Sequence, residues 1–427
     1  MLFFLLCLYT SLYYVRPTDW MPGLLNEPLF LVVGVICTFI LCLTRISKKN
    51  PILQSGPEFM MLGLAAAILC SHLSHAYVGG AIESIKNFMP VMVGYFLVVT
   101  AIDSQKKLNA FIVVLVLLTT FLACEGWLQH KTGYAHGGMD AHIEQKTDAE
   151  GVTVEVPRIR WYGVFNDPND LGLALVIVLP FLLNMVLNKK YLLPVMCLPL
   201  ITIAAYLTNS RGSILAALVS IGAYFVIRYR NIKAVVVSLI LIAVLLAFGP
   251  SRMAQLSSSE ESAHGRVDAW YQGYQMFKAH PMFGVGQGMF TEYHPVTAHN
   301  SFVLVMAELG ITGTIFFSGL FYYSFSWIWK NIFLSKENTW SKPDSGQLCA
   351  VFGSLFGLMA AMFFLSRAYV LIPFIFLALS TATIRVSTSA SCVPVSDVLP
   401  FRYHFKNILF ITFLQIVFIN VVVKLII

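Results

Sequence analysis

The chain has 427 residues, of which 58% are hydrophobic and only 11% charged, and its mean hydropathy is +0.75. Soluble domains carry about 25% charged residues, so this composition excludes an ordinary soluble domain and predicts a multi-pass membrane protein. The net charge of +7 comes from short basic connections between apolar segments. No basic–aromatic patch of the kind that binds nucleic acid accompanies it.

Apolar segments long enough to cross about 30 Å of hydrocarbon as helices recur along the whole chain. We predict an all-α, polytopic, single integral membrane domain over residues 1–427 with twelve or thirteen membrane-spanning helices. The first segment has no basic n-region and no small-residue cleavage site, so the sequence does not predict a cleaved signal peptide. The predicted spans are 2–15, 28–44, 58–76, 86–102, 109–129, 170–187, 191–208, 213–228, 233–249, 301–329, 346–365, 368–385 and 406–423.

Lysine and arginine cluster in alternate connections between these spans. The positive-inside rule makes such connections cytoplasmic, and the N-terminus is then inside. Two long connections, 130–169 and 250–300, then face the extracytoplasmic side of the membrane. The cytoplasmic clusters contain Arg45, Lys48, Lys49, Lys106, Lys107, Lys189, Lys190, Arg228, Arg230, Lys233, Lys330, Lys336 and Lys342. The eight cysteines show neither metal-ligand spacing nor a disulfide framework.

The first long connection ends in a helix-start pattern. Asp167 suits the N-cap, Pro168 the first helical position and Asp170 the first turn. Arg158 and Arg160 precede it and alternate with apolar residues, so they suit either an anionic ligand or lipid headgroups.

The second long connection contains an amphipathic helix. Val267, Trp270, Tyr274 and Phe277 recur at helical spacing, which predicts about four turns lying along the membrane surface and ended by Pro281. A glycine-rich turn, residues 283–288, follows. It is neither a dinucleotide-binding fingerprint nor a P-loop, because no strand precedes it and no Gly-Lys-Ser/Thr follows.

Three residues at the outer ends of helices carry the candidate chemistry. Arg211 stands between two apolar segments. An arginine at the centre of a membrane helix costs roughly 2.5–3.5 kcal/mol, so an arginine this close to the apolar region indicates a functional site. The alternative is a tight turn whose arginine reaches lipid headgroups. Arg266 begins the amphipathic helix, where it could instead pair with Asp268 or Glu261. His299 immediately precedes a new apolar helix, where it could instead be a polar cap.

Together these residues suit the displacement of a lipid diphosphate by a sugar hydroxyl. Two guanidinium groups can bind diphosphate oxygens bidentately without losing their charge. An imidazole titrates near pH 6.5 and can take the proton of an attacking hydroxyl.

The motifs that hold these residues resemble the O-antigen ligase and Wzy-type polymerase superfamily of bacterial envelope glycosyltransferases. The resemblance runs from the first outer turn to about residue 330. It is carried by Tyr14-Val15-Arg16-Pro17, residues 163–171 from Gly163 to Leu171, Ser210-Arg211-Gly212, Gly265-Arg266 with Trp270, His280-Pro281 with Gly284-Val285-Gly286, His299-Asn300-Ser301 and Glu308-Leu309-Gly310.

The resemblance implies a C-type glycosyltransferase-like membrane fold of about twelve helices, which the thirteenth predicted span would exceed. It implies metal-independent, cofactor-free and inverting transfer of a glycan from undecaprenyl diphosphate. Arg211 and Arg266 would hold the diphosphate, and His299 would activate the acceptor. Arg158, Arg160, Asp167 and Asn300 are accessory candidates.

The acceptor stays open. A ligase acts on lipid A–core, a polymerase extends a glycan, and a third branch glycosylates proteins; the large C-terminal domain common in that branch does not occur in this sequence. A transporter is the candidate of another class, but the predicted spans carry few charges and the polar groups crowd one face. No His-Glu-x-x-His motif supports a metalloprotease. The pairs His72 with His75 and His294 with His299 give little support to a zinc site.

Overall fold

The structure, a computed structural model, describes residues 1–47, 55–147, 153–229, 236, 261–329, 342–389 and 401–426. It confirms an all-α polytopic membrane protein: eight of the described helices are long and apolar enough to cross a membrane. Three shorter apolar helices accompany them, Leu192–Leu207, Gly346–Met362 and Leu371–Ser387. The predicted span 233–249 lies outside the described residues, apart from residue 236. The predicted span 406–423 falls within one continuous helix that includes the candidate span His404–Leu425.

In chain order the helices are α1 (Leu2–Val15), α2 (Pro17–Trp20), α3 (Leu29–Ser47), α4 (Gly56–Leu73), α5 (Val78–Ala101), α6 (Gln105–Thr132), α7 (Pro168–Val176), α8 (Leu179–Leu187), α9 (Leu192–Leu207), α10 (Arg211–Tyr229), α11 (Glu261–Ala279), α12 (Phe290–Tyr293), α13 (Ser301–Trp329), α14 (Lys342–Met362), α15 (Leu371–Ser389) and α16 (Phe401–Ile426). Helices α7 and α8 together form one candidate span, Pro168–Leu187.

The chain divides into two compact units. The first consists of Met1–Ile36, Gln105–Gln255 and Asn338–Ala361, and the second of Cys37–Ser104, Leu256–Glu337 and Met362–Ile427. In the first unit, α6 packs against α1, α7 and α9, and α7 packs against α10. Helix α6 turns one face inward, because Phe111, Leu115 and Leu122 recur at helical spacing and are all 0% exposed.

Two antiparallel hairpins follow α6 in the first unit. Strand β1 (Tyr134–Ala135) pairs with β2 (Met139–Asp140), and β3 (His142–Thr147) pairs with β4 (Thr153–Arg158). The sequence was interpreted as a loop here, so these strands were not predicted. The alternation of valine with polar residues in β4 is the signal that could have found them.

In the second unit, α13 is the central helix and packs against α4, α11, α15 and α16. Close helix approach depends on small residues: the Phe316 ring packs on Gly63, and the Met60 side chain packs on Gly319. Contacts of this kind are typical of helices in membranes, where small residues let backbones approach.

A buried ionic cluster lies at the start of α4. Glu58 is 0% exposed and accepts hydrogen bonds from Nη2 of Arg45 (3.1 Å) and Nη2 of Arg385 (2.8 Å). Its other carboxylate oxygen accepts the backbone N–H of Ser55 at 3.1 Å, as part of a capping box. The negative charge of the buried carboxylate is therefore balanced by two guanidinium groups. A charge buried this completely needs such partners.

Helix α13 is broken at Gly310, whose dihedral angles are φ 62° and ψ −158°. The glycine-rich turn after α11 is docked into this break by backbone hydrogen bonds. Val285 N donates to Ala307 O (3.0 Å), Gly286 N to Glu308 O (3.0 Å) and Ile311 N to Pro281 O (2.8 Å). Two segments that the sequence analysis singled out separately, around Gly284 and around Gly310, are thus one packed feature.

Candidate functional site

His299 occupies a strained turn at the head of α13. Its φ is 47°, a left-handed conformation that is uncommon outside glycine. Asn300 is 1% exposed and caps the helix, since its side-chain oxygen accepts the backbone N–H groups of Phe302 (2.9 Å) and Val303 (3.2 Å). Asn300 rather than His299 is therefore the polar cap. Such strain persists where the surroundings fix it, and it clusters at functional sites.

The turn is also bound to the connection between α14 and α15. The Ser301 hydroxyl donates to Leu365 O at 2.5 Å and accepts the backbone N–H of Arg367 at 2.9 Å. This contact brings Arg367 to the His299 turn. This contact could not be predicted from the sequence, because only the fold brings residues 66 positions apart together.

Arg266 lies on α11, and its face of that helix is defined by two contacts. Residues 266, 270 and 273 share one face, because residues three and four apart are neighbours on a helix. Gly273 is so close to the first turn of α13 that a Cβ there would lie 2.7 Å from Val303 Cγ1. Trp270 packs on Phe363 with ring centroids 5.2 Å apart. The face that carries Arg266 is thus the one that packs beside the His299 helix.

Asp268, which the sequence offered as a partner for Arg266, contacts His294. The Nε2 atom of His294 lies 3.0 Å from Oδ2 of Asp268, and its Nδ1 lies 2.8 Å from the carbonyl oxygen of Val296. These contacts fix the segment that leads to His299, so His294 acts structurally in this arrangement.

Two further histidines hold the glycine-rich turn. His72 Nε2 lies 3.0 Å from Gln287 O, and His75 Nε2 lies 2.9 Å from Gly284 O. Glu308 is 2% exposed and accepts the backbone N–H of Phe290 at 3.3 Å. In the His72–His75 pair, considered above as metal ligands, Nε2 of each ring thus contacts a backbone carbonyl.

Arg211, in the first unit, is the first residue of α10. The turn before it is well braced: Asn209 has φ 48°, and the Ser210 hydroxyl accepts the backbone N–H of Ser213 at 3.2 Å. Helix α7 packs directly against this turn, because the Ser213 side chain lies on Gly172. The Arg211 backbone is therefore rigidly held, while its side chain is only half-buried.

The accessory candidates divide into structural and exposed residues. Arg158 is 6% exposed and donates to Thr208 O (2.8 Å) and Asn169 Oδ1 (2.9 Å), so it ties the second hairpin to the Arg211 turn. Arg160 donates to Asp140 O at 2.9 Å on the exposed side of the hairpins. Asp167 accepts the Asn169 backbone N–H at 2.7 Å, which confirms it as the N-cap of α7.

One acid–histidine pair in the first unit escaped the sequence analysis. Glu125 of α6 is 5% exposed, and its oxygens lie 2.8 and 3.0 Å from Nδ1 of His136. It also accepts the His136 backbone N–H at 3.1 Å. A carboxylate on Nδ1 leaves Nε2 of the neutral imidazole as an acceptor. A carboxylate near the end of an apolar span was the available signal.

Residues 195–318 match the protein-family model described as O-Antigen ligase. The matched range contains Arg211, Arg266, His299 and Glu308, and it confirms the resemblance stated from the sequence. No curated protein and no solved structure matched the chain.

Proposed function

We propose that this protein is a glycan ligase of the bacterial inner membrane, because residues 195–318 match the O-antigen ligase family model. It transfers a glycan from undecaprenyl diphosphate to a hydroxyl of lipid A–core or a similar acceptor on the periplasmic face. The alternative within the same chemistry is a Wzy-type polymerase, whose acceptor is another glycan.

One observation carries this proposal: the family match spans the strained, capped His299 turn and the helix that presents Arg266 beside it. A histidine fixed in a left-handed backbone conformation has a defined position at the helix end. Positioning of this kind is what a general base needs to reach the proton that it removes.

The proposed reaction is a single displacement. The acceptor oxygen forms a bond to the anomeric carbon while the bond from that carbon to the diphosphate oxygen breaks. The electron pair leaves with undecaprenyl diphosphate, and the hydroxyl proton passes to His299. Attack opposite the leaving group inverts the anomeric configuration.

The arginines act on the leaving group. Charge builds up on the diphosphate as the glycosidic bond breaks, and guanidinium groups stabilise it by paired, charge-assisted hydrogen bonds. Arg211 and Arg266 have this role in the proposal. Arg367 also contacts the His299 turn, through its backbone N–H on the Ser301 hydroxyl.

The test uses the purified full chain in lipid nanodiscs with undecaprenyl diphosphate-linked glycan. With lipid A–core as acceptor, a ligase yields one glycosylated product, while a polymerase lengthens the donor glycan without it. Transfer is expected to persist with a chelator present. If the wild-type protein makes neither product, or needs a metal ion, the proposal is wrong.

Variants test the residue roles in the same assay. His299→Ala removes the base and should slow transfer by about 10²–10⁴-fold while donor binding is retained. Arg211→Lys and Arg266→Lys keep a charge but lose the planar fork, and each should cost about 10²–10³-fold.

Matched controls make these losses interpretable. Arg228→Lys repeats the arginine change in the last turn of α10, and His130→Ala repeats the histidine change at an exposed site on α6. Both should transfer at the wild-type rate. A fully active His299→Ala together with an inactive His136→Ala would move the base to the Glu125–His136 pair.

A further inference from the structure

A cavity of about 730 Å³ lies in the first unit, at the end opposite to the hairpins. It is formed where α6 and α9 begin, where α8 ends, and beside Gln347 of α14. Its walls are Gln105, Asn109, Ile112, Val113, Phe181, Asn184, Met185, Asn188, Lys189, Lys190, Tyr191, Leu192, Leu193 and Gln347. The reaction proposed above uses none of these residues.

One polar part of the wall has a buried donor to offer. Gln347 is 8% exposed, and its side-chain oxygen accepts a hydrogen bond from Nε2 of Gln105 at 2.6 Å. Its own Nε2 is buried and has no hydrogen-bond partner among the residues that the structure describes. A buried donor without an acceptor is unfavourable, so an acceptor oxygen in the cavity would satisfy it.

The charged part of the wall is positive. Lys189 and Lys190 both line the cavity, and none of the lining residues is acidic. Their backbone is held in a tight turn at the end of α8: Lys189 has φ 59°, and Lys190 N donates to Met185 O at 2.9 Å. This positive charge and the Gln347 amide together suit an anion with several acceptor oxygens, such as a phosphate ester.

Apart from three asparagines, the remaining wall is apolar, and it continues onto the surface of α9. Leu192 lines the cavity and is 83% exposed, and Val195 and Met196 on the next turn are 69% and 64% exposed. In a membrane, such an exposed apolar face meets acyl chains. A ligand with an anionic head and an apolar tail can thus bind with its head at the lysines and its tail along α9.

We propose that this cavity binds an anionic phospholipid. The phosphate oxygens accept hydrogen bonds from Lys189, Lys190 and the Gln347 amide, and an acyl chain lies along Leu192 and the exposed face of α9. Basic pockets between membrane helices bind acidic lipid headgroups in this way. A soluble phosphate ester shares the head chemistry but would leave the apolar wall unused.

The experiment measures lipid binding to the delipidated full chain by native mass spectrometry. Phosphatidylglycerol should bind more tightly than phosphatidylcholine. Lys189→Gln with Lys190→Gln should weaken phosphatidylglycerol roughly tenfold to thirtyfold, as expected for two lysines near a phosphate. The matched control, Lys106→Gln with Lys107→Gln, removes the same charge from the start of α6 outside the cavity and should change little.

A second variant covers the case in which the lysine pair is needed for folding. Gln347→Glu removes the buried donor and adds a negative charge, so it should also abolish the preference for phosphatidylglycerol. Equal losses in the two lysine pairs, or an unchanged preference in Gln347→Glu, would overturn the site. Displacement of phosphatidylglycerol by excess glycerol 3-phosphate would assign the cavity to a soluble phosphate ester and overturn the lipid.

Discussion

His294 shows how single residues hold the approach to the site. Burial by itself lowers the pKa of this imidazole, but the hydrogen bonds to Val296 O and to Asp268, with the Asp268 charge, raise the pKa above its ordinary value. The stabilisation from this raised pKa is present in full below about pH 6.5, the unfolded value. It is lost as pH rises through the folded pKa.

We predict that Asp268→Asn lowers the pKa of His294 and makes stability less dependent on pH. The melting temperature of the variant should fall below that of the wild type by more at pH 6 than at pH 8, because only the protonated imidazole gains from the carboxylate. Imidazole NMR titration and thermal unfolding measure the two effects. A gap of the same size at both pH values would mean that the charge of Asp268 is irrelevant.

Residue-scale features were predictable where their cause is local. The N-cap at Asp167 follows from three consecutive side chains, and the structure has it. The contact of Glu125 with His136 spans 11 positions and a chain reversal, so the sequence shows the two residue types but not their pairing. The roles of Arg211, Arg266 and His299 in catalysis remain predictions.

At the scale of elements, the break in α13 constrains its backbone in a way that only glycine satisfies. Gly310 has φ 62° and ψ −158°, a region open essentially to glycine alone. A Cβ at this position would lie 2.6 Å from the carbonyl carbon of Met282, which is backbone and cannot give way easily.

We predict that Gly310→Ala destabilises the protein by about 1–3 kcal/mol or more from backbone strain and reduces transfer. Thermal unfolding of the purified variant measures the first effect, and the glycan assay measures the second. Gly79→Ala is the control: this helical glycine would meet only Tyr77, at 3.4 Å. An unchanged melting temperature for Gly310→Ala would show that α13 can close its break.

Helices were predictable as elements, while their interruptions and the hairpins were not. A run of apolar residues specifies a spanning helix, and the position of α11 follows from helical spacing; the structure has it as Glu261–Ala279, longer than the four turns expected. The pairing of a glycine-rich turn with a broken helix depends on backbone hydrogen bonds between distant segments. Such bonds leave no periodic signal in the sequence.

At the scale of the whole molecule, the basic connections predict which ends of the helices face the cytoplasm. Single cysteines in a background without the eight native ones test this with an impermeant thiol reagent. Gln145→Cys and Glu292→Cys, both at exposed positions, should react in intact spheroplasts, and Lys106→Cys should react only after lysis. The reverse pattern would invert the topology and place the His299 turn in the cytoplasm.

The docked turn determines more than a local fold. The N-terminal part of α13, from Ser301 to Leu309, has about two and a half helical turns, and isolated helices this short are marginal. On its other side, the glycine-rich turn is held through the carbonyls of Gly284 and Gln287, which contact His75 and His72 at the C-terminal end of α4 and just beyond it. The register of the glycine-rich turn is therefore set both by α13 and by the two histidines. One residue inserted into the turn could keep only one of these two sets of contacts. The N-terminal end of α13 is thus held in position by a segment that is not helical.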